Sequence, residues 1–286
     1  MADKTSLPQN VGVLGGGRMG AGIAHAFLIS GSQVTVVERD EQSAQAARER
    51  IEADLAKSLE RGKIDGNLDV WAQNLSVTTS YSDFSSCELV VEAVPEIWDL
   101  KVEALTAVEA ELDADAWLAS NTSSLSIDGL AEKLQRPERF LGLHFFNPVP
   151  ASKLVEVVQS KHTGKELRSL APAWVEGLGK TPVVVNDAPG FASSRLGVAI
   201  ALEAIRMVEE GVASPQDIDN AMVLGYKFPI GPLALTDVVG LDVRLGIAEY
   251  LESQLGERFA PPQLMRDMVE RGELGRKSGK GFYDYS

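Results

Sequence analysis

Apolar residues in this chain fall first into short unbroken runs and later into stripes spaced by three and four, and the change comes near Asn186. The runs at residues 10–14, 33–37, 75–78, 89–94, 117–119, 140–143, 154–158 and 181–185 have the length and valine-rich content of buried strands. Between them, helical spacing joins Met19, Ile23, Phe27 and Leu28, and again Ile97, Leu100, Ala104, Leu105, Val108 and Leu112. Residues 127–134 and 165–178 read as further helices. Residues 41–61 read as one long helix with Ala44, Ala47, Ile51, Leu55 and Leu59 inward. It is longer than a usual crossover helix and is expected to project from the sheet. Beyond Asn186 the pattern predicts helices at 195–210, 215–224, 232–244 continuing to Leu255, and 261–271, with Pro215 and Pro232 at first helical positions and Ser214 as a cap. The expectation is an α/β unit, residues 1–187, followed by an all-α unit, residues 188–286.

The first strand enters Gly15-Gly16-Gly17-Arg18-Met19-Gly20, a helix follows, and the second strand ends at Glu38, 18 residues after Gly20. Gly15 allows a tight turn, Gly17 lets backbone approach a pyrophosphate, and Gly20 lets helix and strand pack closely. The helix N-terminus faces the anion, and an acid at the end of the second strand can accept from both ribose hydroxyls. This strand–helix–strand–acid unit predicts a Rossmann-type dinucleotide-binding domain. Glu38 would repel a 2′-phosphate and favour NAD, although Arg39 beside it could host one.

Composition narrows the function classes. The net charge is −14, which argues against nonspecific nucleic-acid binding. One cysteine, Cys87, excludes a disulfide framework and a cysteine zinc site, and reads as a small buried hydrophobe. No run of 18 apolar residues is present, and residues 1–9 carry no apolar leader segment. A reducing cytoplasm is the expected compartment.

The chemistry centres on His144, where the short run 140–143 meets Phe145-Phe146-Asn147-Pro148. Pro148 and Pro150 stop the strand, so the histidine is expected where the strand breaks into a loop, at the carboxyl end where open α/β sheets handle ligands. Glu156, twelve residues on, lies inside Leu154-Val155-Glu156-Val157-Val158, and a carboxylate there needs a partner if buried. The competing interpretation is a core histidine with Glu156 facing water on an edge strand. Upstream, Ser120-Asn121-Thr122-Ser123-Ser124 follows another strand and offers hydrogen-bonding groups. Ser124 or Ser126 caps the next helix, leaving Asn121 and Ser123 for other work.

These segments occur in order with Pro189-Gly190-Phe191 and a final Gly279-Lys280-Gly281-Phe282-Tyr283. Together they closely resemble the L-3-hydroxyacyl-CoA dehydrogenase family, in its single-chain short-substrate form, from about Val11 to Tyr285. The resemblance implies interconversion of (S)-3-hydroxyacyl-CoA, in the first place 3-hydroxybutyryl-CoA, and 3-oxoacyl-CoA with NAD, within fatty acid metabolism. It implies that His144 is the general base, that Glu156 orients it, and that Ser123 bonds the substrate oxygen. Besides the turn from Gly15 through Arg18 and Met19 to Gly20, cofactor positions match Glu38, Glu96, Lys101, Ser123, Asn147 and Lys277. The long helix would meet CoA through Lys57 and Arg61; Asp54 stands where the family usually has serine and could not donate. Ser194 replaces an asparagine usual in the family and retains a polar group in the active site. Apolar stripes through Leu196, Ile200, Ala204, Val208, Leu233, Leu235, Val238 and Val239 exceed what one small helical unit buries, and imply a homodimer through residues 188–286, as in the family. Two other functions stay open: a dehydrogenase of a free 3-hydroxy acid or sugar acid, with Arg195 to meet the carboxylate, and a nucleotide-binding structural relative without turnover.

Overall fold

A computed structural model describes residues 7–286; most of the 1–9 segment read above as lacking a leader lies outside the described residues. Two compact units divide after Ala188. The first is built on one sheet of eight strands: β1 (Asn10–Leu14), β2 (Gln33–Val37), β3 (Leu75–Thr78), β4 (Leu89–Glu92), β5 (Trp117–Ser120), β6 (Phe140–Phe145), β7 (Leu154–Gln159) and β8 (Thr181–Asn186). Their order is β3-β2-β1-β4-β5-β6-β7-β8. Every neighbouring pair is parallel except β6 and β7, which are antiparallel. The chain order reverses between β1 and β4, which places a ligand crevice at the carboxyl ends of those strands.

Helices α1 (Arg18–Ile29), α2 (Glu41–Glu60), α3 (Leu68–Ala72), α4 (Trp98–Glu111), α5 (Ile127–Ala131) and α6 (Lys165–Gly177) complete this unit. Ile23, Phe27 and Leu28 of α1 and Ile51 and Leu55 of α2 join Val11, Val13, Val34 and Val36 of the sheet in one buried cluster. Helix α2 buries Ala44, Ala47, Ile51, Leu55 and Ser58, and Ser58 Oγ lies 2.8 Å from His25 Nε2 of α1. The buried face of the long helix thus runs from Ala44 to Ser58, and its last turn is bonded to α1. The short α3 carries no buried residue, so no apolar stripe announced it.

Strand β6 runs through His144 and corrects the expectation that the strand breaks there. Parallel pairing with β5 stops at Gly142, and the antiparallel ladder with β7 carries the strand on to Phe145. Strand β7 has neighbours on both sides and Glu156 is wholly buried, so the edge-strand alternative fails.

The second unit holds α7 (Ser193–Glu209), α8 (Pro215–Asn220), α9 (Pro232–Val239), α10 (Leu241–Leu255) and α11 (Gln263–Glu270). Pro215 and Pro232 begin helices, and Ser214 caps α8. The expected continuous helix from Pro232 to Leu255 is broken by Gly240, whose φ of 103° suits glycine alone. The expected helix 215–224 ends at Asn220 and widens into a π turn, Ala221–Gly225. Val198, Leu202, Ile205, Leu233, Leu251 and Met265 form its core. Two buried carboxylates tie residues 282–285 to this core. Asp237 accepts from the backbone N–H groups of Phe282 and Tyr283 and from the Tyr285 hydroxyl, and Asp219 accepts from the Tyr283 hydroxyl at 2.7 Å. Among the described residues no helix is long and apolar enough to cross a membrane.

Candidate active site

The glycine turn joins β1 to α1. Gly15 has φ 89°, and a Cβ on Gly20 would stand 1.7 Å from the Gly15 carbonyl oxygen, so no larger residue fits without moving the turn. A Cβ on Gly17 would meet no protein atom within 4 Å. The α1 N-terminus has no side-chain cap and no acid in its first turn, so its first N–H groups point to an open anion cradle. Arg18 and Met19 begin the helix, Arg18 exposed and Met19 packed on the core. Glu38 Oε1 accepts from the Gly16 N–H at 2.7 Å, and Arg50 NH1 donates to the Gly16 carbonyl at 2.7 Å. The open turn and the uncapped helix start fit the pyrophosphate of a dinucleotide, and Glu38 stands beside them at the end of β2. Arg50, which the sequence motif does not single out, braces the same turn.

His144 and Glu156 are directly paired residues of β6 and β7. His144 Nδ1 lies 2.8 Å from Glu156 Oε2, and both side chains are buried. A carboxylate at Nδ1 fixes that nitrogen as the N–H donor and assigns proton exchange to Nε2. The Phe146 ring packs at 4.4 Å from the imidazole.

The polar segment after β5 is organised by Glu96. Glu96 Oε1 accepts from Thr122 Oγ1 (2.6 Å), from the N–H groups of Ser123 (2.9 Å) and Ser124 (3.0 Å), from Ser124 Oγ (2.9 Å) and from Ser123 Oγ (3.3 Å). Burial works to raise the Glu96 carboxyl, but the Lys101 charge and the bonds from Thr122, Ser124 and Ser123 outweigh it and hold it below the usual carboxylate range. Asn121 is not left open to a ligand. Its Oδ1 accepts from the Phe145 N–H at 2.8 Å and ties this segment to the strand of His144. Ser126 caps α5.

Lys101 is buried at 1% exposure, with its ammonium 2.6 Å from Glu92 Oε1 and 3.4 Å from Glu96 Oε2. Any service to a cofactor therefore passes through Glu96. Glu92 was missed in the sequence, although it carries the signal that marked Glu156, a carboxylate at the end of an apolar run. Asn147 lies exposed just past β6, before a cis bond to Pro148. On α2, Asp54 bonds Lys57 at 3.1 Å, while Arg61 is the exposed C-cap. Ser194 and Lys277 belong to the second unit, Ser194 in the first turn of α7 and Lys277 paired with Asp242 at 2.5 Å. Cys87 is buried and its thiol is pushed up to about 12 by that burial, so it is no nucleophile.

The family model for the 3-hydroxyacyl-CoA dehydrogenase NAD-binding domain matches residues 10–188, and that for the 3-hydroxyacyl-CoA dehydrogenase C-terminal domain matches residues 190–285. A probable 3-hydroxybutyryl-CoA dehydrogenase of Deinococcus radiodurans is 42% identical over 275 residues, covering 96% of this chain and 99% of its own. The mitochondrial hydroxyacyl-coenzyme A dehydrogenase of Rattus norvegicus is 39% identical over 292 residues, covering 99% of this chain and 93% of its own. The crystal structure of (S)-3-hydroxybutyryl-CoA dehydrogenase from Ralstonia eutropha superposes with a TM-score of 0.92 at 38% identity, covering 98% of this chain and 99% of that one.

Proposed function

The chain belongs to the 3-hydroxyacyl-CoA dehydrogenase family, and we propose that this NAD-dependent enzyme interconverts (S)-3-hydroxybutyryl-CoA and acetoacetyl-CoA with His144 as its general base and acid. The observation that carries the proposal is the buried His144–Glu156 pair at 2.8 Å, held on the same sheet as the glycine turn. Bound NAD supplies the hydride acceptor in one direction and, reduced, the donor in the other. His144 Nε2 takes the proton of the 3-hydroxyl as C3 gives up hydride, and Glu156 stabilises the imidazolium that forms. Ser123 Oγ bonds the substrate oxygen and places it against His144. Asn147 and Glu96 serve the nicotinamide end of the cofactor, and Lys101 keeps Glu96 charged. Lys57 and Arg61 meet the phosphates of CoA, with Lys57 partly neutralised by Asp54. Ser194 serves as a positioning group with a shorter reach than asparagine, and Lys277 as a cofactor contact. The setting is fatty acid metabolism in the cytoplasm.

Turnover of acetoacetyl-CoA with NADH, followed as loss of absorbance, tests this reading. We expect kcat/KM at least about tenfold higher with NADH than with NADPH, because Glu38 opposes a 2′-phosphate. Arg39 is already engaged by Asp40 at 3.1 Å. Comparable values for the two cofactors would remove Glu38 from that role. Activity on free 3-hydroxy acids alone would favour the other dehydrogenase, and no turnover of either would favour a structural relative.

The same proposal extends to a homodimer through the helical unit. Leu196, Leu224, Val238, Val239 and Val243 are exposed there, Leu196 at 63%. Ala199, Ile200, Ala204, Met207 and Ile218 line an apolar cavity of about 380 Å³ in the same unit. Light scattering at micromolar concentration is expected to give twice the chain mass of 30.7 kDa; a monomer mass overturns the dimer.

A further inference from the structure

Behind the polar segment that follows β5 lies an ion triad that the acid–base pair does not use. Glu92 is wholly buried at the end of β4, and its Oε1 accepts from Lys101 Nζ and from the Val94 N–H, both at 2.6 Å. Its Oε2 accepts from Ser120 Oγ at 2.5 Å. Lys101 Nζ also donates to the Val94 carbonyl at 3.1 Å and pairs with Glu96 at 3.4 Å. Two carboxylates share one ammonium, so the triad carries one net negative charge. Glu92 and Lys101 are sealed from water, while the Glu96 side chain is 35% exposed. The surplus charge is therefore presented through Glu96.

The place of this charge follows from the sheet. A Cβ on Gly15 would lie 3.1 Å from the Ala93 carbonyl oxygen, so the segment after β4 packs directly on the glycine turn and lines the same crevice. On the dehydrogenase reading the adenosine end lies at Glu38, just past the end of β2. A dinucleotide that crosses the turn then has its second nucleoside on the β4 and β5 side. That nucleoside is cationic when oxidised and neutral when reduced. A fixed charge shifts such an equilibrium only through its unequal interaction with the two forms.

We infer that the Glu92–Lys101–Glu96 triad favours oxidised over reduced cofactor by its net negative charge, and that Glu92, which touches neither, sets that charge. Glu92 is thus a positioning residue that acts through Lys101. With Glu92 neutral, the ammonium would be balanced against Glu96 alone and the surplus would vanish. This inference rests on the dehydrogenase reading of the crevice.

Fluorescence titration of NAD and of NADH separately, without substrate, tests it on the wild type and on Glu92→Gln, Glu92→Asp and Glu96→Gln. The ratio of the NAD to the NADH dissociation constant is expected to rise roughly tenfold in Glu92→Gln and Glu96→Gln, the scale of one charge at this range in a partly screened site. Glu92→Asp keeps the charge and should keep the wild-type ratio even if both affinities fall. A structural role for Glu92 would instead weaken both forms equally, and equal weakening or an unchanged ratio overturns the inference. Should Glu92→Gln fail to fold, the partly exposed Glu96→Gln decides by the same ratio. A wild-type protein that binds neither form overturns the dinucleotide reading itself, which separates the two failures.

Discussion

Replacing His144 by glutamine is expected to lower kcat by roughly 10²–10⁴-fold, the usual worth of a placed acid or base. Glutamine retains polarity near the site but cannot carry a proton between water and substrate at neutral pH. Its KM for acetoacetyl-CoA should change little, since the lost step is proton transfer and not binding. Glu156→Gln should also fall in kcat, by less, because the amide can hold Nδ1 but cannot offset the imidazolium charge. The two side chains are 2.8 Å apart and buried, so their effects should not add. A double variant about as slow as His144→Gln alone is the expected result. Steady-state kinetics on the three proteins checks it, and near-wild-type kcat in both single variants would dismiss the pair.

Gly20→Ala is expected to damage the cofactor turn and the fold together. The new Cβ would stand 1.7 Å from the Gly15 carbonyl oxygen, a backbone atom that can yield only by opening the turn. Overpacking of this kind costs about 1–3 kcal/mol, so melting should fall by several degrees and NAD binding by at least roughly tenfold. Gly17→Ala is the informative contrast. Its Cβ meets no protein atom within 4 Å, so melting should hold while NAD affinity drops. If Gly17→Ala binds NAD as well as the wild type, the turn does not cradle a pyrophosphate.

Much of this was legible in residues. The strand runs, the glycine turn with Glu38, and the spacing of His144 to Glu156 each rest on local pattern, and all eight strands formed where apolar runs stood. What pattern could not show was direction. An apolar run reads the same whether a strand is parallel or antiparallel, so the reversal at β7 that faces Glu156 to His144 was invisible. Breaks inside helices were hidden for a related reason. Gly240 and the π turn at Ala221 interrupt stripes that remain apolar across the break. Glu92 stands out only in the fold, because nothing in the sequence pairs this acid at a strand end with Lys101, nine residues on, until both are seen buried together.

The antiparallel step between β6 and β7 gives the enzyme an unusual kind of address. His144 meets Glu156 because hydrogen-bond rungs are counted correctly, Gly142 to Val158 at one side and Phe145 to Val155 at the other. The segment between the strands, residues 146–153, takes no part in that count, since β7 is also held by six rungs to β8, from Leu154–Thr181 to Gln159–Asn186. Residues can therefore be added to the connecting segment without moving the carboxylate. One residue added inside β7 ahead of Glu156 would swing it to the opposite face. Under the role proposed for the pair, chains misaligned in this way would keep a hydrogen-bonded sheet yet lose turnover. Specific activity, more than any measure of folded content, is then the assay of whether the sheet has been zipped in frame.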